Sequence, residues 1–150
     1  MHAATADGGR LGDADTAPFQ PPPQDALTRD FGPDDLRDLR ALVIEEGERA
    51  GLERNRVEDL ALAVHELAAN SIVHADGGGT LNTWREEDAL VCEMLDDGDV
   101  IDPHAGMAAP GIEASHGRGL WMVKHLCDLV QIRSLPTGNT VRVRMDLQTS

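Results

Sequence analysis

The chain contains no tyrosine, and Phe19, Phe31, Trp84 and Trp121 are its whole aromatic supply. Proteins that hold single-stranded nucleic acid need aromatic platforms for the bases, so this scarcity argues against that class of ligand. Basic residues are also few, 13 against 27 acidic ones, for a formal net charge of −14. A duplex-binding surface carries a basic stripe, and none is present, so direct nucleic-acid binding is not expected. The same acidity means that any phosphate ligand must be held by local donors against an unfavourable overall field. The two cysteines, Cys92 and Cys127, lie far apart among apolar neighbours and read as buried free thiols. No apolar run reaches membrane length, and no basic stretch followed by an apolar one opens the chain. The expectation is a cytoplasmic protein that does not touch a membrane.

What remains is enough for one domain. A length of 150 residues with 41% apolar composition supports a core without disulfides or a metal, built from Leu, Val, Ile, Met and Ala. Residues 1–24 are rich in Ala, Gly, Asp, Thr and Pro and close on Gln20-Pro21-Pro22-Pro23. That composition reads as a disordered arm, leaving residues 25–148 as the folded domain.

Within the domain, Ala26 to Asp30 reads as a short strand. Gly32-Pro33-Asp34-Asp35 starts a helix in which Leu36, Leu39, Val43 and Ala50 recur at helical spacing, with Gly51 as its stop. A second helix is expected over Arg54 to His74, with Val57, Leu60, Val64, Leu67, Ala68 and Ser71 on its apolar or small face. Leu81 to Arg85 and Ala89 to Leu95 read as strands joined by the turn Glu86-Glu87-Asp88. Asp96 to His116 has no clear period and reads as a functional loop. Gly117 to Asp128 is expected to be a third helix. Val130 and Ile132, then Val141, Val143, Met145 and Leu147, mark two final strands around the turn Pro136-Thr137-Gly138-Asn139. The expected fold is α+β: a two-layer α/β sandwich with a mixed, mainly antiparallel sheet and three helices on one face. Arg142 and Arg144 alternate with the apolar residues and read as a solvated sheet face.

Three short patterns could carry chemistry. Glu66 and Asn70, four apart on the second helix, project from nearly one face, at the border of the apolar stripe. As a solvated pair they would be unremarked, but Asn70-Ser71 in mid-helix is poor on propensity, and such violations cluster where function demands them. Asp96-Asp97-Gly98 ends a strand and alone is an ordinary turn. Gly117-Arg118-Gly119-Leu120 opens a helix, where free N–H groups favour anions and glycine lets the backbone approach a ligand. It could equally be a tight joint.

Taken in order, Glu66-x-x-x-Asn70, Asp96-x-Gly98, Gly117-x-Gly119 and Gly138-Asn139-Thr140 resemble the ATPase superfamily of gyrases, heat-shock chaperones, histidine kinases and mismatch-repair proteins. Ala63-Val64-His65-Glu66-Leu67-Ala68-Ala69-Asn70 is similar to the N box of bacterial anti-sigma factor serine kinases, and Gly117 to Val123 to their second glycine box. The likeness spans Ala26 to Leu147 and implies a Bergerat-type fold that binds ATP with Mg²⁺. It implies that Asn70 coordinates Mg²⁺ and that Glu66 is a general base or positions the attacking hydroxyl or water. Asp96 would accept from the adenine amine, with Gly98 letting the base lie close. Gly117, Gly119 and the amides that follow, including Leu120, would receive the phosphates, with Arg118 either touching a phosphate or facing solvent. Asp99 to His116 would be a lid, and Thr140 matches the threonine of the family's terminal Gly-Thr, with Asn139 intervening. The implied activity is phosphorylation of a serine or threonine on an anti-sigma factor antagonist, by an anti-sigma factor that regulates transcription. A homodimer is also implied. The alternative is a non-catalytic, nucleotide-gated module that sequesters a sigma factor or other partner. One departure stands out: the usual D-x-G-x-G reads Asp96-Asp97-Gly98-Asp99-Val100, without the second glycine.

Two look-alikes fail. His65-Glu66 begins like the zinc motif HExxH, but its fifth position is Ala69. His65-Glu66-Leu67 imitates a phosphoacceptor box, which needs a dimeric helical hairpin for which the chain has no room.

Overall fold

A computed structural model describes residues 19–75, 77–98 and 117–147. Strand β1, Leu27–Phe31, runs into a 3-10 turn at Pro33–Asp35, where the Gly32 N–H donates to Asp35 Oδ2 at 2.8 Å. Helix α1, Leu36–Ala50, follows and stops at Gly51, whose φ of +93° is left-handed backbone that a side chain would strain. Helix α2 covers Arg54–His74. Strands β2, Gly79–Glu86, and β3, Ala89–Asp96, come next. Helix α3 is Gly117–Leu126, and β4, Leu129–Leu135, and β5, Gly138–Asp146, close the domain.

The five strands lie in the order β1-β2-β3-β5-β4. Every pairing is antiparallel, so the described sheet contains no parallel pair and is not the mixed sheet the sequence suggested. Short hairpins join β2 to β3 and β4 to β5, and this connection favours antiparallel neighbours. The fold is α+β, with three helices on a five-stranded sheet.

Strand alternation sorts the residues into two faces. Inward go Leu81, Leu90, Met94, Ile132, Val141 and Val143, to meet Leu39, Val43, Leu60 and Val64 of the helices, all buried. Helix α2 is the central contact, packing on α1 along one flank and on α3 along the other. That arrangement puts the flank bearing Glu66 and Asn70 beside the start of α3.

The outer face is not the solvated surface expected of it. Glu93 is only 2% exposed there, accepting from Asn82 Nδ2 at 3.0 Å and from Arg142 Nε at 3.1 Å. The Phe19 ring lies under two guanidinium groups, those of Arg133 and Arg142, each 4.4 Å from its centroid. Arg142 also donates to the Gln20 carbonyl at 2.8 Å. The end of the segment that composition assigned to a disordered arm therefore lies on the sheet. A planar guanidinium stacks on an aromatic ring while its stem covers apolar surface, so alternation with polar residues does not require a wet face. Arg144 is nearer the rim and pairs with Glu86, Asp88 and Asp146.

Candidate functional site

Helix α2 carries Glu66 and Asn70 one turn apart, both half-buried, while Leu67 and Ser71 face the core. Helix α3 opens with Gly117, and its third residue, Gly119, is buried against that pair. A methyl added to Gly119 would stand 3.1 Å from Asn70 Nδ2 and 3.5 Å from Glu66 Oε1. Only glycine leaves this space open. The start of α3 therefore brings the helix's first backbone N–H groups, and the positive end of its dipole, to a carboxylate and a carboxamide. Leu120 turns into the core at 1% exposure, so any contribution it makes to a ligand there is through its backbone. The side chain of Arg118 lies outside what the structure describes.

The second half of the site is the end of β3. Asp96 Oδ2 accepts from the Ser71 hydroxyl at 2.6 Å, and Oδ1 accepts from the Gly98 N–H at 2.9 Å and Asn139 Nδ2 at 3.1 Å. A methyl on Gly98 would come within 2.4 Å of the His74 carbonyl oxygen, so glycine is what lets the chain pass the end of α2. Asp96 and Asn70 together line a small cavity of about 10 Å³ with Leu67, Met94, Leu120 and Val141. The walls are apolar and the floor is a carboxylate, which suits a flat ring bearing an N–H donor. At this volume the ring could enter only if the cavity widened.

A larger cleft of about 720 Å³ opens at the same end of the sheet, bordered by Asp30, Thr80, Asp97, Thr137 and Thr140, and shares Asp96 with the small cavity. None of the described residues lining it is basic, and neither Glu66 nor Asn70 reaches it. Size favours this cleft for a ligand; chemistry favours the small cavity, and a polyphosphate needs donors, which the α3 N-terminus supplies. Thr140 belongs to the larger cleft because it pairs with Leu95 and Arg133 on the outward side of β5. Asn139, one residue earlier, faces Asp96 instead.

Sequence reasoning brought Glu66, Asn70, Asp96, Gly98 and Gly119 to one region, and it missed two polar residues there. Ser71 is 1% exposed and Asn139 3% exposed, and both donate to Asp96. The signal for Ser71 was its poor helix propensity beside Asn70; Asn139 gave none beyond its place after Gly138. The expected lid, Asp99 to His116 with Val100, lies outside the described residues, as does most of the arm.

The residues present fit a magnesium nucleotide in one respect visible here. The space above Gly119 is bounded by the Asn70 amide and the Glu66 carboxylate, and both offer hard oxygen to a divalent ion.

Residues 31–145 match the model of the histidine kinase-like ATPase domain, and the chain belongs to that family. No curated protein matches it in sequence. Among solved structures, the RsbU and RsbW domains of Rv1364c from Mycobacterium tuberculosis align at a TM-score of 0.63 and 17% identity, over 85% of this chain and 34% of that one. This chain therefore spans about a third of that protein. The catalytic domain of histidine kinase ThkA aligns at 0.53 and 12% identity, over 83% of this chain and 99% of that one. The histidine kinase AdeS of Acinetobacter baumannii aligns at 0.54 and 12% identity, over 82% and 68%. At these identities the likeness concerns the fold. ATP binding follows from the family, and no helix among the described residues is long and apolar enough to cross a membrane.

Proposed function

We propose that this protein is an anti-sigma factor that uses Mg-ATP to phosphorylate a serine or threonine of an anti-sigma factor antagonist. The observation that carries the reading is the meeting of Glu66, Asn70 and Gly119 at the start of α3. Phosphoryl transfer asks little covalent chemistry of a protein beyond positioning, charge neutralisation and a base. Glu66 accepts the proton of the attacking hydroxyl as its oxygen bonds to the terminal phosphorus. The bond from that phosphorus to the bridging oxygen breaks, and ADP leaves. Asn70 would hold Mg²⁺ through its amide oxygen, and the ion would supply charge neutralisation at the phosphates. The amides of Gly117 to Leu120, with Arg118 beside them, receive the phosphates, and Asp96 with Gly98 receives the base. The acidic surface suits a cytoplasmic regulator whose partner is a sigma factor, an antagonist or both, and the family resemblance favours a homodimer.

The fold likeness to a structure that contains an RsbW domain supports this choice of partner class. The second reading, a nucleotide-gated module that sequesters its partner without transfer, draws on Val100 in place of the second glycine. Labelled ATP, Mg²⁺ and a cognate antagonist should give labelled antagonist with the wild type and none with Glu66→Ala, which keeps nucleotide binding. Unlabelled antagonist with intact ATP binding in the wild type would leave the second reading standing.

A further inference from the structure

We infer that Asn139 is a positioning residue, fixing the Asp96 carboxylate so that one acceptor site, on Oδ2, is left for the base of the nucleotide. The inference rests on the nucleotide-binding reading above and concerns how the site selects its base.

A carboxylate offers about four lone-pair sites, two on each oxygen. Asp96 Oδ1 accepts from the Gly98 N–H at 2.9 Å and from Asn139 Nδ2 at 3.1 Å, which fills both of its sites. Oδ2 accepts from the Ser71 hydroxyl at 2.6 Å, which fills one. Of the donors, Gly98 is fixed by its passage past His74 and Ser71 by its helix. Asn139 is the donor whose orientation needs an explanation, because an amide turned over would set its oxygen against the carboxylate.

Ser134 supplies it. Its hydroxyl donates to Asn139 Oδ1, so the amide nitrogen points at Asp96. The three side chains lie in one line across three strands: Asn139 is the register partner of Asp96 on β3 and of Ser134 on β4. Gly138 makes the line possible. Its φ of +138° and its closeness to the Asp96 carbonyl, 2.5 Å from where a methyl would stand, bring the hairpin against the end of β3. Asn139 is 3% exposed, so water does not compete for its amide.

The torsion that turns a carboxylate is broad, so a group held by one donor on each oxygen librates more widely than one held by three, and it has a second open acceptor site on Oδ1. Held as it is, Asp96, which lines the small cavity, has one acceptor site left. A purine with a 6-amino group can donate to it. A purine with hydrogen at that position leaves it unpaired, and one with a carbonyl there sets oxygen against oxygen. A site built around a buried polar group rejects an analogue that leaves the group unpaired.

The test is calorimetric titration with ATP and with purine riboside triphosphate, which carries hydrogen in place of the amine. The wild type should prefer ATP. Asn139→Ala should weaken ATP by roughly tenfold and leave the analogue almost unchanged, since one oriented hydrogen bond to a charged group is at stake. Ser134→Ala keeps the Asn139 amide but frees its orientation, and should narrow the preference by roughly threefold; it also serves where Asn139→Ala fails to fold. Equal weakening of both nucleotides in these variants would overturn the proposal, because a purely structural residue lowers both alike. A wild type that binds ATP with an unchanged preference in Ser134→Ala and Asn139→Ala sinks this inference alone. A wild type that binds neither nucleotide sinks it together with the nucleotide-binding reading.

Discussion

Gly119 lies so close to Asn70 that a methyl in its place would be 3.1 Å from the amide nitrogen and 3.6 Å from the amide oxygen. The two residues come from different helices and are 49 positions apart in the chain. Their contact makes the start of α3 and the polar flank of α2 into a single surface.

Gly119→Ala should separate stability from function. Alanine is a better helix former than glycine by up to about 1 kcal/mol, so thermal stability should hold or rise slightly. Nucleotide affinity should fall by roughly tenfold, as the added methyl pushes the Asn70 amide from its place. Paired melting and titration curves check this, and a loss of both together would mean that the glycine serves packing alone.

Removing the hydroxyl of Ser71 should cost twice over. Ser71→Ala leaves the half-buried Asp96 carboxylate without the 2.6 Å donor to Oδ2, which costs about 1 kcal/mol in the absence of ligand. Bound ATP should recover part of that loss by supplying an N–H. The expected result is a lowered melting temperature that ATP raises more in the variant, measured from its own baseline, than in the wild type.

On the outer face, Arg142→Ala should be far more damaging than an exposed arginine would allow. It strands Glu93, 2% exposed, and frees the Phe19 ring, for a loss of about 3–5 kcal/mol in denaturant unfolding. Phe19→Ala should cost about 1 kcal/mol, the scale of a cation–π contact at a partly covered site. Deleting residues 1–24 should reproduce the Phe19 loss at least, whereas deleting residues 1–18 should not.

Burial pushes the Cys92 thiol up from 9.0 to about 11, and burial also raises that of Cys127. Both thiols stay protonated in the fold while the unfolded chain ionises from about pH 9. The unfolded state then binds fewer protons, so stability should fall as pH rises from 9 to about 11. Cys92→Ala should flatten that part of the profile. Native protein should react slowly with a thiol reagent at pH 8 and rapidly once denatured.

The periodicity of α2 already placed Glu66 and Asn70 on one flank, because a helix fixes side-chain direction from spacing alone. Element order was legible for the same reason: each run of apolar residues had a clear period of two or of 3.6. The phase of β5 was not. Val141, Val143 and Met145 mark which residues face inward, yet whether Asn139 or Thr140 meets Asp96 depends on how the hairpin pairs and on where Gly138 enters the strand. Phe19 was equally opaque, since the composition around it describes a chain that cannot build a core. It says nothing of a ring that borrows a surface made by Arg133 and Arg142.

The sequence by itself determined the α+β class, the helix carrying the Glu–Asn pair, and the glycines that open α3, all of which depend on local spacing and backbone freedom. The tertiary structure alone decided that Ser71, Gly98 and Asn139 converge on one carboxylate, and that the sheet's outer face holds a buried Glu93–Arg142 pair. Those relations join residues on separate strands and helices, and such contacts are fixed by register and packing, which no local pattern encodes.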